Sequence, residues 1–385
     1  MKIIFFSNSD WYLFNFRLPL ARALKAQGHE VLLISPQGDY GARLREEGFR
    51  WEPLTMDRRS LNPFSEIFVL MRLALLYRRE RPDAVHHFTL KCVIYGSIAS
   101  VFARIPARIN AVAGMGYVFS SSALKARLLR PLVRGLMRLS LSNSRSRLIL
   151  QNSDDLQAFT LANIVHASRI HMIKSSGVDT DRFKPGLIGA MSDQPTTVLL
   201  AARLLREKGI NEFVESARKL RGNGLPIRFI LAGAPDHGNP QSISQVEIDA
   251  YESEGFVEIL GHVEDMRKLL AISDIVVLPS YYGEGVPRSL IEAAACGLPI
   301  VTTDSPGCRE VVTHGVEGLL IPPRNSDALA EAIKFLHEDP QLRRKLGLAA
   351  RQRAVTVFDQ RIVIQKTLGV YGELITGFTP LEIKK

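Results

Sequence analysis

Cysteine is scarce in this sequence, and long apolar runs are missing from it. Three cysteines occur among 385 residues, without Cys-x-x-Cys or Cys/His spacing, which excludes a disulfide framework and a zinc site of the usual pattern. The most apolar stretches, residues 67–77 and 92–103, contain Arg72 or stop well short of the ~20 residues that span a bilayer. The first apolar segment, residues 3–6, is shorter than the about 7–15 residues of a signal-peptide core. We therefore expect a reducing compartment, a buried first strand and no transmembrane helix.

The positive charge is unevenly placed along an otherwise ordinary globular composition. With 46% hydrophobic and 23% charged residues, the chain is neither disordered nor collagen-like, and its length predicts two domains at about 100–200 residues each. Residues 1–186 carry 27 Lys and Arg against 14 Asp and Glu, whereas the remainder carries 22 against 25. The N-terminal half is therefore expected to meet a polyanionic partner. No helix-turn-helix, RNP or zinc-knuckle pattern accompanies the charge, so nucleic acid is not predicted.

Short β-branched segments alternate with helical patterns in both halves. This alternation predicts βαβ units and an α/β fold with two parallel sheets, each buried on both faces. A stretch rich in Gly and Pro at residues 175–195 separates the sheets. We place an N-terminal domain at 1–186, a C-terminal domain at 187–357, and a helix within 358–385 that returns to the N-terminal domain. The predicted strands are 2–7, 30–35, 83–87, 108–112 and 147–151, then 197–202, 227–232, 257–260, 274–279, 299–303 and 318–322.

Two glutamates follow a predicted buried strand in the C-terminal half. The segment Glu284-Gly-Val-Pro-Arg-Ser-Leu-Ile-Glu292 comes after an apolar run that ends at Ser280. Pro287 suits the first turn of a helix, which places Glu284 on the preceding loop and Glu292 inside the helix. Such a helix N-terminus offers N–H groups to a phosphate, so that Glu284 would reach sugar hydroxyls and Glu292 a ribose diol. Taken alone, the spacing of the two glutamates favours the alternative in which Glu284 is a solvated loop residue and Glu292 a helix-surface charge.

A basic pair opens the C-terminal half. Arg203 and Lys208 lie in Arg203-Leu-Leu-Arg-Glu-Lys208-Gly, directly after the strand predicted at 197–202. An arginine that donates two hydrogen bonds and a lysine that acts as a point charge would clamp a diphosphate. Ligands of open parallel sheets bind beyond the carboxyl ends of the strands, which favours this interpretation over a solvated loop. A solvated loop remains the interpretation for Arg206 and Glu207.

Together these segments resemble the family-4 retaining glycosyltransferases of the GT-B architecture, in which two Rossmann-like parallel-sheet domains face each other across a cleft. The resemblance covers nearly the whole chain and includes Ser176-Gly-Val-Asp-Thr-Asp-Arg-Phe-Lys-Pro185, Pro306-Gly-Cys-Arg-Glu310 and Gly318-Leu-Leu-Ile-Pro-Pro323. It implies that Arg203 and Lys208 hold the nucleotide diphosphate and Glu292 the ribose. It also implies that the donor sugar meets Glu284 and the backbone of Gly285, Val286, Pro287 and Arg288, and that His262 and Val263 belong to the donor-binding residues.

The N-terminal half resembles a narrower group that acts on lipid-linked sugars, through residues 83–91 and 110–120. That family often has His-x-His after the strand predicted here at 83–87, whereas this chain has His86, His87 and then Phe88 at the second histidine position. Either histidine is expected to face the donor, and a core or surface role stays open for both. They join Glu284, Lys208 and Arg203 as candidate catalytic residues. The first loop, residues 7–17, lacks the family's glycines. The candidate acceptor-binding residues are Asn15, Arg17, Lys91, Gly114, Gly116 and Tyr117.

Asp179-Thr-Asp181 looks like the Asp-x-Asp metal motif of other transferases. We reject a metal site there, because the segment matches a turn of the resembled family, in which aspartate binds backbone N–H groups. The resemblance implies no metal and no cofactor. The basic clamp and the helix N-terminus would neutralise the departing diphosphate instead.

The basic excess is densest in residues 122–148, which contain no Asp or Glu. Arg127, Arg130, Arg134 and Arg138 are spaced as one face of a helix, although Pro131 leaves two short helices possible. A core helix with a solvated basic face and an interfacial helix are equally open. In the second case the region from Lys125 to Arg147 would bind an anionic membrane surface at about 1 kcal/mol per cation.

The resulting prediction is a retaining glycosyltransferase that takes a sugar from a nucleotide-sugar, UDP-linked by family habit, and transfers it to a polyprenyl-diphosphate-linked saccharide in polysaccharide or glycan synthesis. N-acetylgalactosamine is the first choice of sugar from the narrower resemblance. The narrower resemblance also implies a cytoplasmic enzyme that is peripheral on the cytoplasmic face of the inner membrane. The alternatives are a GT-B-like UDP-sugar 2-epimerase and a non-catalytic, membrane-associated nucleotide-binding protein.

Overall fold

The computed structural model describes residues 1–57, 62–114, 124–186, 195–236 and 238–380. The chain forms two compact units. The first contains the described residues between Met1 and Ser176 and those from Gln360 onward, and the second runs from Gly177 to Asp359. Each unit has its own parallel sheet, which confirms the predicted α/β class.

The sheet of the first unit has the order β3-β2-β1-β4-β5-β6-β7 among the described residues, with every pair parallel. The strands are β1 Lys2–Phe6, β2 Glu30–Ser35, β3 Arg50–Pro53, β4 Ala84–Phe88, β5 Ala107–Val112, β6 Ser146–Leu150 and β7 Ile170–Met172. The helices include Asp10–Tyr12, Leu18–Ala26, Gly41–Glu46, Pro63–Glu80, Leu90–Phe102, Leu124–Leu141, Ser153–Leu161 and Gln360–Leu374.

Alternate residues of β1 enter two different cores, because successive side chains of a strand point to opposite faces. Ile3 and Phe5 pack with the C-terminal helix Gln360–Leu374, which buries Tyr371 in the same core. Ile4 and Phe6 pack with the helices Pro63–Glu80 and Leu90–Phe102 on the other face. The return of the last helix to the N-terminal sheet was predicted and is observed.

The sheet of the second unit has the order β10-β9-β8-β11-β12-β13 among the described residues, and its pairs are also parallel. Its strands are β8 Thr196–Ala201, β9 Ile227–Ala232, β10 Val257–Gly261, β11 Ile275–Leu278, β12 Ile300–Thr303 and β13 Gly318–Ile321. Its helices include Ile210–Gly222, Gln245–Glu254, Met266–Ala271, Arg288–Ala295, Cys308–Val311, Ser326–Glu338 and Pro340–Arg353.

The units divide between Ser176 and Gly177 rather than at Gly186. Val178 and Phe183 belong to a core of the second unit, and the Val178 N–H donates to the Phe358 carbonyl oxygen at 2.8 Å. Asp179 accepts backbone hydrogen bonds from residues 181 and 182 at 3.1 and 3.0 Å, which is the turn role assigned to it from the sequence. The contact between Val178 and Phe358 is long-range, so the Gly and Pro signal alone did not give this boundary.

Glu80 joins the starts of two strands through a cluster of cations. Its carboxylate accepts hydrogen bonds from Lys2 at 3.0 Å, Arg50 at 3.1 and 3.3 Å, and Arg79 at 3.0 Å. The Arg50 guanidinium contributes most to lowering the pKa of Glu80 to about 2, and Lys2 and Arg79 add to this. A carboxylate whose pKa is lower in the folded state than in the unfolded chain stabilises the fold above the unfolded value.

Glu80→Gln is therefore expected to lower the free energy of unfolding at about pH 7, and the difference from wild type should shrink towards about pH 3 as Glu80 becomes protonated in the unfolded chain. Urea unfolding of both proteins at the two pH values measures it. Glu338→Gln is the matched control, because Glu338 is exposed and its ion pair with Lys334 is long, at 3.8 Å. If the free energies of unfolding of wild type and Glu80→Gln differ by the same amount at both pH values, the proposed stabilisation by the Glu80 carboxylate is contradicted.

Candidate functional site

The candidate donor site lies in the second unit, at the carboxyl ends of β8 and β11. The strand order reverses between these neighbours. From β8 the chain continues to β9 and β10 on one side of the sheet, and it then returns to β11 on the other side of β8. Ligands of open α/β sheets bind at this point. The turn Arg206–Lys208 follows β8, and the loop that carries Glu284 follows β11.

Lys208 and Glu284 meet at this position. The Lys208 ammonium donates to Glu284 Oε1, and their side chains are 12% and 13% exposed. Ser280 Oγ lies 3.0 Å from the same carboxylate oxygen and 3.1 Å from the Glu207 carbonyl oxygen. Sequence reasoning had paired Lys208 with Arg203 rather than with Glu284. It had also missed Ser280, whose position directly after β11 was the available signal.

Arg203 lies at the end of β8 but does not join that pair. Its Nη1 donates to Asp236 Oδ2 at 2.7 Å, and its side chain is more than half exposed. Asp236 follows β9, the neighbouring strand of the sheet. The acidic partner was not predicted, because the pairing depends on strand order.

The helix Arg288–Ala295 begins with Pro287 as its N-cap residue, and Pro287 makes no side-chain capping hydrogen bond. Glu292 lies inside the helix as predicted. Arg288 Nε donates to Glu292 Oε1 at 2.7 Å. Burial raises the pKa of Glu292, while Arg288 acts to lower it. Val286 is buried, and His262, which follows β10, is exposed. Val263 packs against the same core as Val286.

Two glycines allow the site loops to approach each other. Gly209 has φ +78°, and a Cβ there would lie 2.4 Å from the Pro279 carbonyl oxygen. Gly307, after β12, has φ +81°, and its Cβ would lie 1.7 Å from the Gly285 carbonyl oxygen. Only glycine combines this backbone conformation with such contacts. The position of the Glu284 loop therefore depends on Gly307, which lies on the loop after β12.

The two candidate histidines lie inside β4 rather than beyond it. His87 is fully buried, with Nδ1 2.8 Å from Asn110 Oδ1 and Nε2 3.1 Å from the Tyr77 hydroxyl. Burial lowers the pKa of His87 to about 4, against a smaller opposite effect of Asn110. Both ring nitrogens thus have partners in a neutral core network, which leaves no ring nitrogen for a substrate.

His86 points to the opposite face of the sheet. Its Nδ1 lies 2.8 Å from the Tyr371 hydroxyl, and its buried Nε2 has no hydrogen-bond partner within the described residues. Burial holds the pKa of His86 well below its usual range, and Arg17 adds to this effect. Phe88 separates it along β4 from the carboxyl end.

The acceptor candidates are only partly brought together. Arg17 is buried, stacks over the Phe88 ring at 4.5 Å and donates to the Tyr12 hydroxyl at 2.6 Å. Lys91 donates to Glu66 at 2.8 Å and to the Asp57 carbonyl oxygen at 2.6 Å. Asn15 donates to the Trp11 carbonyl oxygen, and Gly114 follows β5 with φ +84°. Gly116 and Tyr117 lie outside the described residues.

Within the described ranges, no group of three or more His, Cys, Asp and Glu side chains is placed to hold a metal ion. The three cysteines are buried and unbridged. Burial raises the pKa of Cys296 to about 12.

Gly307→Ala is expected to destabilise the protein more than Gly315→Ala. Both residues have positive φ, but a Cβ at Gly315 meets nothing within 4 Å. The shared backbone strain costs about 1–2 kcal/mol, and the clash with Gly285 adds to it at Gly307 alone. Urea unfolding of both variants measures the difference, and equal losses would contradict the proposed contact.

Comparison with known proteins matches both halves of the chain to glycosyl transferase families. The family described as "Glycosyl transferase 4-like" matches residues 2–153, and "Glycosyl transferases group 1" matches residues 188–353. The chain is 33% identical to the N,N'-diacetylbacillosaminyl-diphospho-undecaprenol alpha-1,3-N-acetylgalactosaminyltransferase of Campylobacter jejuni, over 97% of this chain and 99% of that protein. It is 25% identical to the UDP-Gal:alpha-D-GlcNAc-diphosphoundecaprenol alpha-1,3-galactosyltransferase of Escherichia coli, over 83% and 82%.

Solved structures extend the likeness to the fold. The structure of Anabaena Alr3699/HepE in complex with UDP has a TM-score of 0.77 at 22% identity, and the match covers 97% of this chain and 100% of that one. The chain therefore belongs to the glycosyl transferase group 1 and 4-like family, and it is a glycosyltransferase.

Proposed function

We propose that this enzyme transfers a sugar from a UDP-linked donor to a polyprenyl-diphosphate-linked saccharide with retention of anomeric configuration, in the synthesis of a polysaccharide or glycan. The carrying observation is the Lys208–Glu284 pair beside the N-terminus of the helix Arg288–Ala295, at the point where the strand order reverses. N-acetylgalactosamine is the proposed sugar, supported by the name of the Campylobacter jejuni relative. Family membership favours a transferase over the epimerase and the non-catalytic alternatives.

In this proposal the donor diphosphate lies at the start of the helix Arg288–Ala295. The first backbone N–H groups of that helix and the Lys208 ammonium supply positive charge to it. Arg203 supplies a second cation. To bind the diphosphate, it gives up its hydrogen bond to Asp236. Glu292, held by Arg288, accepts hydrogen bonds from the ribose hydroxyls. His262 and Val263 lie towards the nucleoside.

Glu284 is the proposed sugar-binding carboxylate. It lies on the same loop as Gly285, whose carbonyl oxygen contacts Gly307. Because its partner Lys208 also binds the diphosphate, the pair links the sugar to its leaving group. The side chains are largely buried, and charges interact more strongly there than in water.

The proposed chemistry breaks the bond between the anomeric carbon and the oxygen of the β-phosphate. An acceptor hydroxyl attacks from the same face through an oxocarbenium-like state, and its proton passes to the departing phosphate oxygen. No enzymatic nucleophile is needed. Lys208 and Arg203 stabilise the negative charge that develops on UDP, and the remaining contribution is positioning.

The acceptor is assigned to the N-terminal unit. Asn15 and Gly114 follow β1 and β5, and Arg17 and Lys91 would exchange their present partners to bind it. Of the two histidines, His86 is the proposed donor-facing residue, because Tyr371 holds one ring nitrogen and the other has no partner within the described residues.

We also propose that the enzyme is peripheral on the cytoplasmic membrane face. The helix Leu124–Leu141 is continuous through Pro131 and exposes Arg127 and Arg134. Arg138 instead donates to the carbonyl oxygens of residues 162 and 163, and Arg147 pairs with Glu373. The Lys125 side chain is outside the described residues.

No helix in the described parts of the chain is long and apolar enough to cross a bilayer. Peripheral binding through the helix Leu124–Leu141 predicts co-sedimentation with anionic vesicles at low salt, and reduced co-sedimentation of Arg127→Gln/Arg134→Gln. A protein that stays in the supernatant at low salt would contradict the membrane proposal.

Lys208→Ala is expected to lower turnover by about 100-fold or more, because it removes a group that stabilises the leaving diphosphate. Transfer from UDP-N-acetylgalactosamine to a water-soluble acceptor with a short prenyl diphosphate chain measures it. UDP should raise the melting temperature of wild type more than GDP or dTDP does, and it should raise that of Lys208→Ala less.

Lys219→Ala is the control, since Lys219 lies in the same unit and pairs with the exposed Asp327. It should keep wild-type turnover. Wild-type turnover in Lys208→Ala would overturn the assignment. Conversion of the UDP-sugar without any acceptor would favour the epimerase.

A further inference from the structure

The helix Pro63–Glu80 is apolar on two opposite faces. One face packs into the core of the first unit through four side chains, Val69, Leu73, Leu76 and Tyr77. The opposite face carries five large apolar side chains at helical spacing, which we call the 64–75 stripe: Phe64, Ile67, Phe68, Met71 and Leu75, with exposed fractions of 83, 54, 55, 58 and 61%. A helix that is apolar all round is normally covered on every side. Among the residues that the structure describes, this one is covered on one side only.

The charges beside the stripe have one sign. Arg72 and Arg78 are exposed on the same helix, whereas Arg79 pairs with Glu52 and Glu80. Its two acidic residues face cations within the unit, since Glu66 accepts from Lys91 at 2.8 Å and Glu80 accepts from Lys2 at 3.0 Å. The outward surface therefore combines aromatic and aliphatic side chains with arginine, the composition of helices that lie in a membrane interface.

The apolar surface continues beyond the helix. Arg78 Nη2 donates to the Phe102 carbonyl oxygen at 3.1 Å, which places the exposed Val101 and Phe102 beside the end of the helix. The helices Pro63–Glu80 and Leu124–Leu141 both pack against Leu90–Phe102. Leu128 and Leu132 of the helix Leu124–Leu141 are exposed as well. Soluble proteins rarely expose large contiguous apolar patches unless a partner covers them.

We propose that the 64–75 stripe inserts into the boundary between headgroups and acyl chains of an anionic bilayer. The choice of a bilayer rests on the charge of the neighbouring arginines and on the proposed polyprenyl-linked acceptor. Insertion adds an apolar contribution, which resists salt, to the electrostatic one of Arg127 and Arg134, which salt screens. The two contributions can therefore be separated.

The test is co-sedimentation with vesicles of phosphatidylcholine and phosphatidylglycerol, at low salt and at about 1 M salt, where the Debye length is about 3 Å. Phe64→Ser/Phe68→Ser should lower the partition coefficient about tenfold or more under both conditions. Arg127→Gln/Arg134→Gln should lower it mainly at low salt. Phe335→Ser/Leu348→Ser is the matched control, because these residues of the second unit are 54% and 62% exposed. It should bind as wild type does.

A direct measurement of insertion uses Phe68→Trp. Its fluorescence should shift to shorter wavelength on binding and be quenched by brominated acyl chains. Circular dichroism confirms that each variant is folded. Unchanged partitioning of the folded stripe variant, or an equal loss in the Phe335/Leu348 control, would overturn the proposal. So would a dimer that the stripe variant abolishes without any change in vesicle binding.

Transfer to the water-soluble acceptor separates this proposal from the proposed function. The stripe variant should keep wild-type turnover on that acceptor, since none of its residues belongs to the proposed donor or acceptor site. Wild-type enzyme that binds vesicles through the stripe but transfers no sugar would contradict the proposed function alone. Stripe variants that transfer normally and also partition normally would contradict insertion alone.

Discussion

The inner strands of both sheets are parallel and buried on both faces, and this constraint decides where chemistry can take place. β8 and β11 carry no charged residue, and all their side chains are buried except that of Ala201 at the end of β8. An ionised side chain within such a strand would lose its hydration without compensation. The cations and carboxylates of the proposed donor site therefore follow the strands, and strand order decides which of them meet. β8 and β11 are neighbours, so Lys208 meets Glu284.

The polar residues inside β4 and β5 follow the same constraint in another way. His87 and Asn110 are neutral, face each other across adjacent strands and bind further partners. A buried polar group is tolerated when its hydrogen bonds are satisfied. On the opposite face, the Arg17 guanidinium lies on the Phe88 ring and donates to the Tyr12 hydroxyl. His87, a residue type that suggests catalysis in a sequence, thus serves here to hold the first unit together.

The sequence predicted the strands of both sheet interiors and the C-terminal helix, since these depend on local periodicity. It also supplied the residues of the proposed donor site through motif spacing. The edge strands β3 and β7 were missed, because they are short and carry little apolar pattern. The contacts of Ser280, Asp236 and Gly307 were missed for a different reason. Each joins loops from separate strands, and only the order of the strands brings those loops together.

The surplus of positive charge in the N-terminal half has a different meaning once its residues are placed. Lys2, Arg50 and Arg79 surround Glu80, and Arg138 caps a helix, so much of the charge holds the first unit together. A count of cations therefore overstates the charge that can meet a partner. Arg127 and Arg134 differ from these residues because they stand among exposed leucines, as Arg72 stands among the side chains of the 64–75 stripe. Cations that border apolar surface favour a lipid interface over a purely polar polyanion, because a bilayer offers both anionic headgroups and a place for the apolar side chains.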